Sequence, residues 1–461
     1  MAMYDVIVIG GGSAGFSAAE VAANTGASVC IIEKGRMGGE CPNWACVPTK
    51  ALLRSAKLYH EAKNDLKDFG IHASSVSFSF KEIMARKDAV VSAITGKGKK
   101  MDRIAKELGI DVVRGSAVFV DDHTVRVGKN KYKGKSIILA TGTTTFVPPI
   151  DGLKKSGYLT FHDAVSLTVQ PKSIAIIGGG PVGCEFATFF AMLGTQVKVL
   201  QLSEQVLQRE DSEIGAIAGA QLQEIGVDIK LSTKTLSVKK EGKRVRVEYQ
   251  VGAQKRQSIL VDHVLLAAGK RAAVTELSLD KAGVKLDEVG RLHTDEYQRT
   301  NIKHIFAAGD VDGGMQFTHT AHLEGTIAAH NALSKTTRSM KKRDMRVVPR
   351  ATFIHPEVAS VGITAKEAAD RKIKVEVAKF PVGGLGRSVT DNNRVGIIKI
   401  VVEKKTGLIL GGHMIGACAG EVIHEIALGM HLGATAKDLS TMIHAFPTYS
   451  ESIAAALGRY E

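Results

Sequence analysis

The sequence has little that would tie it to membranes, secretion or nucleic acid. It has five cysteines, an odd number, which argues against a secreted disulfide framework and for a reducing, cytoplasmic setting. No basic n-region or small-residue cleavage pattern precedes the apolar stretch Val6 to Ile9, so the N-terminus reads as structure rather than an address. The longest nearly apolar stretch, 174–194, holds Glu185 and a glycine-rich turn that would expose backbone in lipid, and a membrane span is rejected. The basic excess of 61 Lys and Arg over 47 Asp and Glu is dispersed, without the concentrated block that nucleic-acid binding requires. It suits a protein that holds anionic dinucleotides.

What is present is an internal repeat. Residues 5–15 and 173–183 share one pattern at an offset of 168, so Gly10, Gly12 and Gly15 match Gly178, Gly180 and Gly183. Each segment is a β-branched strand feeding a G-x-G-x-x-G turn and then a helix, and Gly26 and Val29 match Gly194 and Val197 before a second strand. The first glycine permits the tight turn, the second admits a pyrophosphate, and the third lets helix pack on strand. One such loop is weak evidence, but two in register indicate two dinucleotide-binding units.

The first unit's second strand ends on Glu33, a carboxylate placed to accept hydrogen bonds from a ribose diol. At the equivalent position the second unit has Gln201, followed by Leu202, so the choice between NADH and NADPH stays open, with Arg209 a distant candidate. Small-residue runs at 137–142, with Thr141 and Gly142, and at 264–269, ending on Gly269, close the two units. Residues 301–310 read as a further buried strand leading to Gly309 and Asp310. Boundaries are therefore expected at 1–150 for the first part of one nucleotide domain, 151–270 for the second domain, 271–345 for a central segment rejoining the first, and 346–461 for a C-terminal domain with no phosphate loop.

Cys41 and Cys46, separated by four residues, directly follow Gly38, Gly39 and Glu40, and their spacing can be bridged if the turn departs from ideal helix. A metal site would require further thiol or imidazole ligands, and no second cysteine pair or His-x-x-x-His run is present, so redox use is preferred and no metal is expected. Cys30, Cys184 and Cys418 lie in apolar surroundings and are read as core packing.

With these motifs the chain resembles, essentially end to end, the flavoprotein disulfide reductases, in the branch of dihydrolipoamide dehydrogenase and mercuric reductase. The phosphate loop with Glu33, the cysteine pair with Lys50, residues 140–142, the second loop with Glu185, the 300–310 segment, and runs 353–357 and 444–451 appear in the family's order. The resemblance implies an α/β chain with two Rossmann-like domains, for FAD and NAD(P), and an α+β dimerisation domain. It implies FAD with Asp310 at its ribityl chain, NAD(P)H on the opposite flavin face, and an ion pair of Lys50 with Glu185 near flavin N5. It further implies Cys46 as the sulfur nearer the flavin, Cys41 as the interchange thiolate, and a homodimer in which a His and Glu pair from the partner enters the site.

Glu451 keeps the expected place of that pair, but Phe446 stands where the family has its histidine, and a phenyl ring transfers no protons. His444 is read as structural, as are His322, His355 and the strand residue His413, and Trp44 as a cover for the flavin edge. The expected activity is electron transfer from NAD(P)H through FAD and the cysteine pair to a small acceptor (a disulfide, a metal ion or a quinone-like molecule) other than a classical dithiol. True mercuric reductase is disfavoured because neither the vicinal cysteines at the C-terminus nor an N-terminal metal-binding domain is expected. The alternatives are a genuine disulfide reductase such as dihydrolipoamide dehydrogenase, and a redox-sensing flavoprotein with little turnover, which the retained thiols, Lys50 and Glu185 disfavour.

Overall fold

The computed structural model describes residues 2–460; Met1 and Glu461, at the outer ends of the first and last expected domains, lie outside them. The chain divides into two compact units. The first comprises Met1–Pro48, Ala85–Phe146 and Gly269–Asp344, and the second Thr49–Met84, Val147–Ala268 and Met345–Glu461.

The first unit is built on a parallel sheet. Strand Ala2–Ile9 lies between Val29–Glu33 and Asn130–Leu139, and Asp111–Arg114 extends the edge beyond Val29–Glu33. Strand Asn130–Leu139 splits its pairing: its first residues run antiparallel to Thr124–Val127, and Ile137 to Leu139 run parallel to Ile305–Ala307. Alternate residues of the central strand enter separate cores. Val6 and Val8 pack with Ala18, Ala19 and Ala22 of helix Ser13–Asn24, whereas Ile7 and Ile9 pack with Ile137, Leu139 and Ile305. Both faces are covered, which is why these strands read as continuous β-branched runs rather than alternating ones.

The second unit repeats the strand, helix, strand pattern with Ser173–Ile177, Pro181–Met192 and Gln196–Leu200 in a four-stranded parallel sheet completed by Asp228–Lys230 and His263–Leu266. The stretch set aside as a membrane span is this strand, turn and twelve-residue helix, and no helix among the described residues is long and apolar enough to cross a membrane. An antiparallel three-stranded sheet over residues 233–261 follows. The C-terminal part is a five-stranded antiparallel sheet over residues 350–416, packed against helix Ala419–Leu432.

Candidate active site

The two phosphate loops have the same construction. Gly10 and Gly178 adopt φ of +107° and +110°, and a Cβ on either would sit 2.3 Å from the Ala140 carbonyl oxygen or 2.4 Å from that of Ala267. Gly15 and Gly183 are closer still, with a Cβ on each meeting the carbonyl oxygen of its own loop's first glycine at 1.8 and 2.0 Å. Only glycine fits all four positions. Gly12 and Gly180 are the residues immediately before the helices, whose first-turn N–H groups are suited to receive an anion.

Glu33 and Gln201 are also equivalent in space. Gly11 N–H donates to Glu33 Oε2 at 2.6 Å, and Gly179 N–H donates to Gln201 Oε1 at 2.8 Å. Gly35 N–H donates to the other oxygen of Glu33, while Gln201 Nε2 donates to the Gln205 carbonyl and the side chain is buried. The neutral amide therefore supports its loop as the carboxylate does in the first unit. Arg209 is exposed.

In the first unit Gly39 meets the phosphate loop, where a Cβ would lie 2.7 Å from Gly12 Cα, and Gly38 N–H donates to the Gly11 carbonyl. This anchors the segment carrying the thiols. Glu40–Asn43 forms one short helical turn, Trp44 breaks it with φ of −141°, and a new helix, Cys46–Asn64, begins at the second cysteine. The break supplies the departure from regular helix that the spacing called for. Cys46 thus occupies the positive end of a nineteen-residue helix, an environment that favours thiolate. Both cysteines are half-buried thiols, and Cys46 Sγ lies 3.7 Å from Thr318 Oγ1. Trp44 is half-buried with the Arg36 guanidinium over its ring at 5.6 Å.

One residue of this site was not singled out from the sequence. Lys270, in the two-stranded ladder of Lys270–Ala272 with Thr143–Thr145, reaches Glu40 Oε2 at 3.1 Å and lies 3.7 Å from Asp310 Oδ2. Burial pulls its pKa down, but the charges of Glu40, Asp310 and the Cys46 sulfur prevail and raise it. Asp310 is shifted upward, by burial against the opposing pull of Lys270. Its position follows from Gly309, whose N–H donates to buried Glu324 at 2.8 Å; Arg343 bridges Glu324 and Asp312 at 3.0 and 2.9 Å. Burial raises Glu324 to about 7.

In the second unit Lys50 and Glu185 meet as expected. Lys50 Nζ lies 2.8 Å from both carboxylate oxygens, Phe353 N–H donates to Oε1 at 3.0 Å, and the Phe353 ring lies beneath the ammonium at 4.7 Å. Glu185 is buried because it faces inward from helix Pro181–Met192, whereas Lys50 stays about a third exposed. His355 is half-buried, and desolvation lowers it to about 4.

The C-terminal segment places Phe446 and His444 in different surroundings. Phe446 is 80% exposed, while His444 Nε2 lies 2.7 Å from Glu425 Oε1 with only 6% of its side chain accessible. Glu451 accepts from Thr448 N–H at 2.8 Å. Buried His413 bonds the Ile363 carbonyl. Two sequence readings are corrected. Cys418 is exposed rather than core, held at φ of +57° where strand Ile409–Gly416 turns into helix Ala419–Leu432. His322 is exposed on helix Thr318–Leu333, so its ring packs in no core and its backbone carbonyl is the group that Ser17 engages. Cys30 and Cys184 are buried as read.

FAD fits the first unit on the evidence of its own unsatisfied groups. The Thr141 and Thr143 hydroxyls and Asn43 Oδ1 are buried among the described residues with no hydrogen-bond partner, although such groups ordinarily have one. They accompany a phosphate loop no side chain can fill, an acidic strand end and the Lys270 and Asp310 pair.

Two nucleotide loops, a thiol pair at a helix start and a buried Lys–Glu pair define a nicotinamide-dependent flavoprotein with a redox-active cysteine pair. Residues 4–325 match the family described as pyridine nucleotide-disulphide oxidoreductase, and residues 348–457 match its dimerisation domain. The chain belongs to the pyridine nucleotide-disulphide oxidoreductases, enzymes that use FAD and NAD(P)H. It is 34% identical to a mercuric reductase of Staphylococcus aureus over 98% of this chain and 82% of that protein. It is also 34% identical to the mitochondrial dihydrolipoyl dehydrogenase of Pisum sativum, over 99% and 91% respectively. The HOCl-induced flavoprotein disulfide reductase RclA of Escherichia coli, solved as a Cu(II) complex, superposes with a TM-score of 0.88 at 28% identity over the whole of both chains.

Proposed function

We propose that this protein passes electron pairs from NAD(P)H through the Cys41 and Cys46 pair to an acceptor other than a classical dithiol, acting as a homodimer. The observation that carries the reading is the environment of two side chains: Phe446, at the position where the family resemblance puts the proton-transferring histidine, is exposed, and His444 is bonded to Glu425. Equal identity to a mercuric reductase and a dihydrolipoyl dehydrogenase leaves acceptor choice to such local chemistry.

In this reading Gly10, Gly12, Gly15, Glu33, Thr141, Gly142, Gly309 and Asp310 hold FAD, and Gly178, Gly180, Gly183, Gln201 and Gly269 hold the nicotinamide dinucleotide. Bound FAD supplies the two-electron relay between nicotinamide and the sulfur pair. Glu185 fixes the Lys50 ammonium by both oxygens, so Lys50 presents a stationary positive charge. The Cys46–Asn64 helix start and the Lys270 ammonium favour thiolate at Cys46. Cys41 meets the acceptor. With a disulfide acceptor its thiolate bonds one sulfur and releases the other; Cys46 then displaces the bound sulfur, leaving the pair oxidised and the acceptor as two thiolates that take their protons from water. With a metal ion the two thiolates donate ligands instead. Neither route needs an imidazole base when the pair is already thiolate. Ile443, Phe446, Leu428 and Leu432 are each exposed, and such apolar surface suits the dimerisation domain. The segments 1–150 with 271–345, 151–270 and 346–461 serve as the FAD, NAD(P) and dimerisation domains in this scheme.

The test is steady-state turnover of dihydrolipoamide by the native protein and by Phe446→His. Low native turnover that rises about 10²–10⁴-fold in the variant is expected, the range of a general acid–base group. High turnover with Phe446 in place would refute the proposal and identify a disulfide reductase that draws its protons elsewhere.

A further inference from the structure

His123 and His304 come together in the first unit from segments 181 residues apart, their rings stacked at 3.8 Å and 5°. His123 lies in the turn between strands Ala117–Phe119 and Thr124–Val127, and His304 immediately precedes strand Ile305–Ala307. Both backbones are fixed to one strand: Gly134 N–H donates to the His123 carbonyl at 2.9 Å and Ile137 N–H to the His304 carbonyl at 3.0 Å. Asp122 completes the group, and one ligand atom from each of the three residues lies within 4.8 Å of the others.

The hydrogen bonds specify which atoms face the gap. His123 Nδ1 is 2.8 Å from the Gly134 carbonyl, which can only accept, so Nδ1 carries the proton and Nε2 carries the lone pair. An imidazole tied through its far nitrogen to a backbone carbonyl is the arrangement that orients histidine metal ligands. His304 Nε2 lies 3.0 Å from the Asp122 carbonyl and 3.6 Å from Asp122 Oδ2. Two ligands about 2.0–2.1 Å from an ion in tetrahedral geometry are about 3.4 Å apart; the Asp122 carbonyl, which can only accept, holds a proton on His304 Nε2, so an ion has to displace that proton and turn the ring before His304 ligates beside Asp122.

We infer that Asp122, His123 and His304 form a surface site for a borderline divalent transition ion such as Zn²⁺, with water completing the coordination. Two imidazoles and one carboxylate favour Zn²⁺, Co²⁺, Ni²⁺ or Cu²⁺ over Mg²⁺ or Ca²⁺, which take all-oxygen sites. Ring lone pairs lie in the ring plane, so parallel rings cannot both address one ion. Binding turns the His304 ring out of the stack about its Cβ–Cγ bond while His123 stays held by Gly134. The bound ion links the 121–123 turn to the segment that leads through Ile305–Ala307 to Gly309 and Asp310.

The test is Zn²⁺ titration calorimetry on untagged, FAD-loaded protein in which Cys41→Ser, Cys46→Ser and Cys418→Ser remove the competing accessible thiols. One equivalent should bind, with affinity reduced at least about tenfold in His123→Ala and in His304→Ala, since even partners of metal ligands contribute about 10–100-fold. Unaltered flavin absorbance and far-UV circular dichroism establish that the variants are folded. Asp122→Asn, at an exposed position, provides a milder second variant and should also weaken binding. No Zn²⁺ binding by the serine-substituted parent, or binding unaffected by all three substitutions, would overturn the inference.

Discussion

The Lys50 and Glu185 pair permits a prediction whose size and asymmetry follow from burial. The Glu185 side chain is 7% exposed and that of Lys50 34%. Replacing Lys50 with Met leaves a carboxylate that cannot reach water, with the Phe353 N–H as its remaining donor in this group. Stranding a buried charge costs about 3–5 kcal/mol. Replacing Glu185 with Gln keeps an acceptor for Phe353 and leaves an ammonium that can turn toward solvent, a loss of about 1–2 kcal/mol. The double variant removes both charges and should cost less than the sum, with a coupling of about 1–3 kcal/mol. The assay is urea unfolding of FAD-loaded native, single and double variants followed by far-UV circular dichroism, comparing the transition that reports the second unit. Equal losses in the two single variants, or additivity within about 0.5 kcal/mol, would mean that water screens the pair and that Glu185 does not fix Lys50.

Other substitutions separate the two nucleotide units and probe their charge. Gly183→Ala places a methyl group 2.0 Å from the Gly178 carbonyl oxygen and should abolish NAD(P)H-dependent flavin reduction while flavin content stays near one per chain; Gly15→Ala should instead lose the flavin, read from the absorbance of purified protein. Gln201→Glu keeps the acceptor for Gly179 N–H but adds the charge that Glu33 carries in the first unit. It should shift the ratio of kcat/KM for NADH over NADPH by about tenfold toward NADH, through repulsion of the 2′-phosphate. Glu324 is held to about 7 by burial, above its unfolded value, so the folded chain retains a proton that the unfolded chain has released. Stability contributed by this group is present below the unfolded pKa and is lost as pH rises through about 7, and thermal unfolding from pH 5 to 8 should fall more steeply in the native protein than in Glu324→Gln.

Several features were legible because their cause is local. Gly10, Gly15, Gly178 and Gly183 sit where a Cβ would meet backbone oxygen within the same strand, turn, helix unit or against its neighbouring strand, so the requirement is written at fixed spacing. The doubly buried parallel strands announced themselves as β-branched runs for a similar reason: their neighbours on both faces are apolar whatever the details of packing. The thiol pair was legible from its spacing, and the break at Trp44 explains how four intervening residues accommodate it.

The sequence by itself thus determined two nucleotide loops and a thiol pair, since each is carried by residues close together along the chain. Tertiary structure alone decided that Lys270 joins Glu40 and Asp310, that His444 is spent on Glu425, that His123 meets His304, and that Cys418 and His322 face outward. In the pairings, the partners come from segments that sequence spacing does not bring together. Exposure at Cys418 and His322 depends on what else covers the same helix or turn. An ionisable side chain takes its character from the charges and solvent around it, and those are supplied by chain returning from far away.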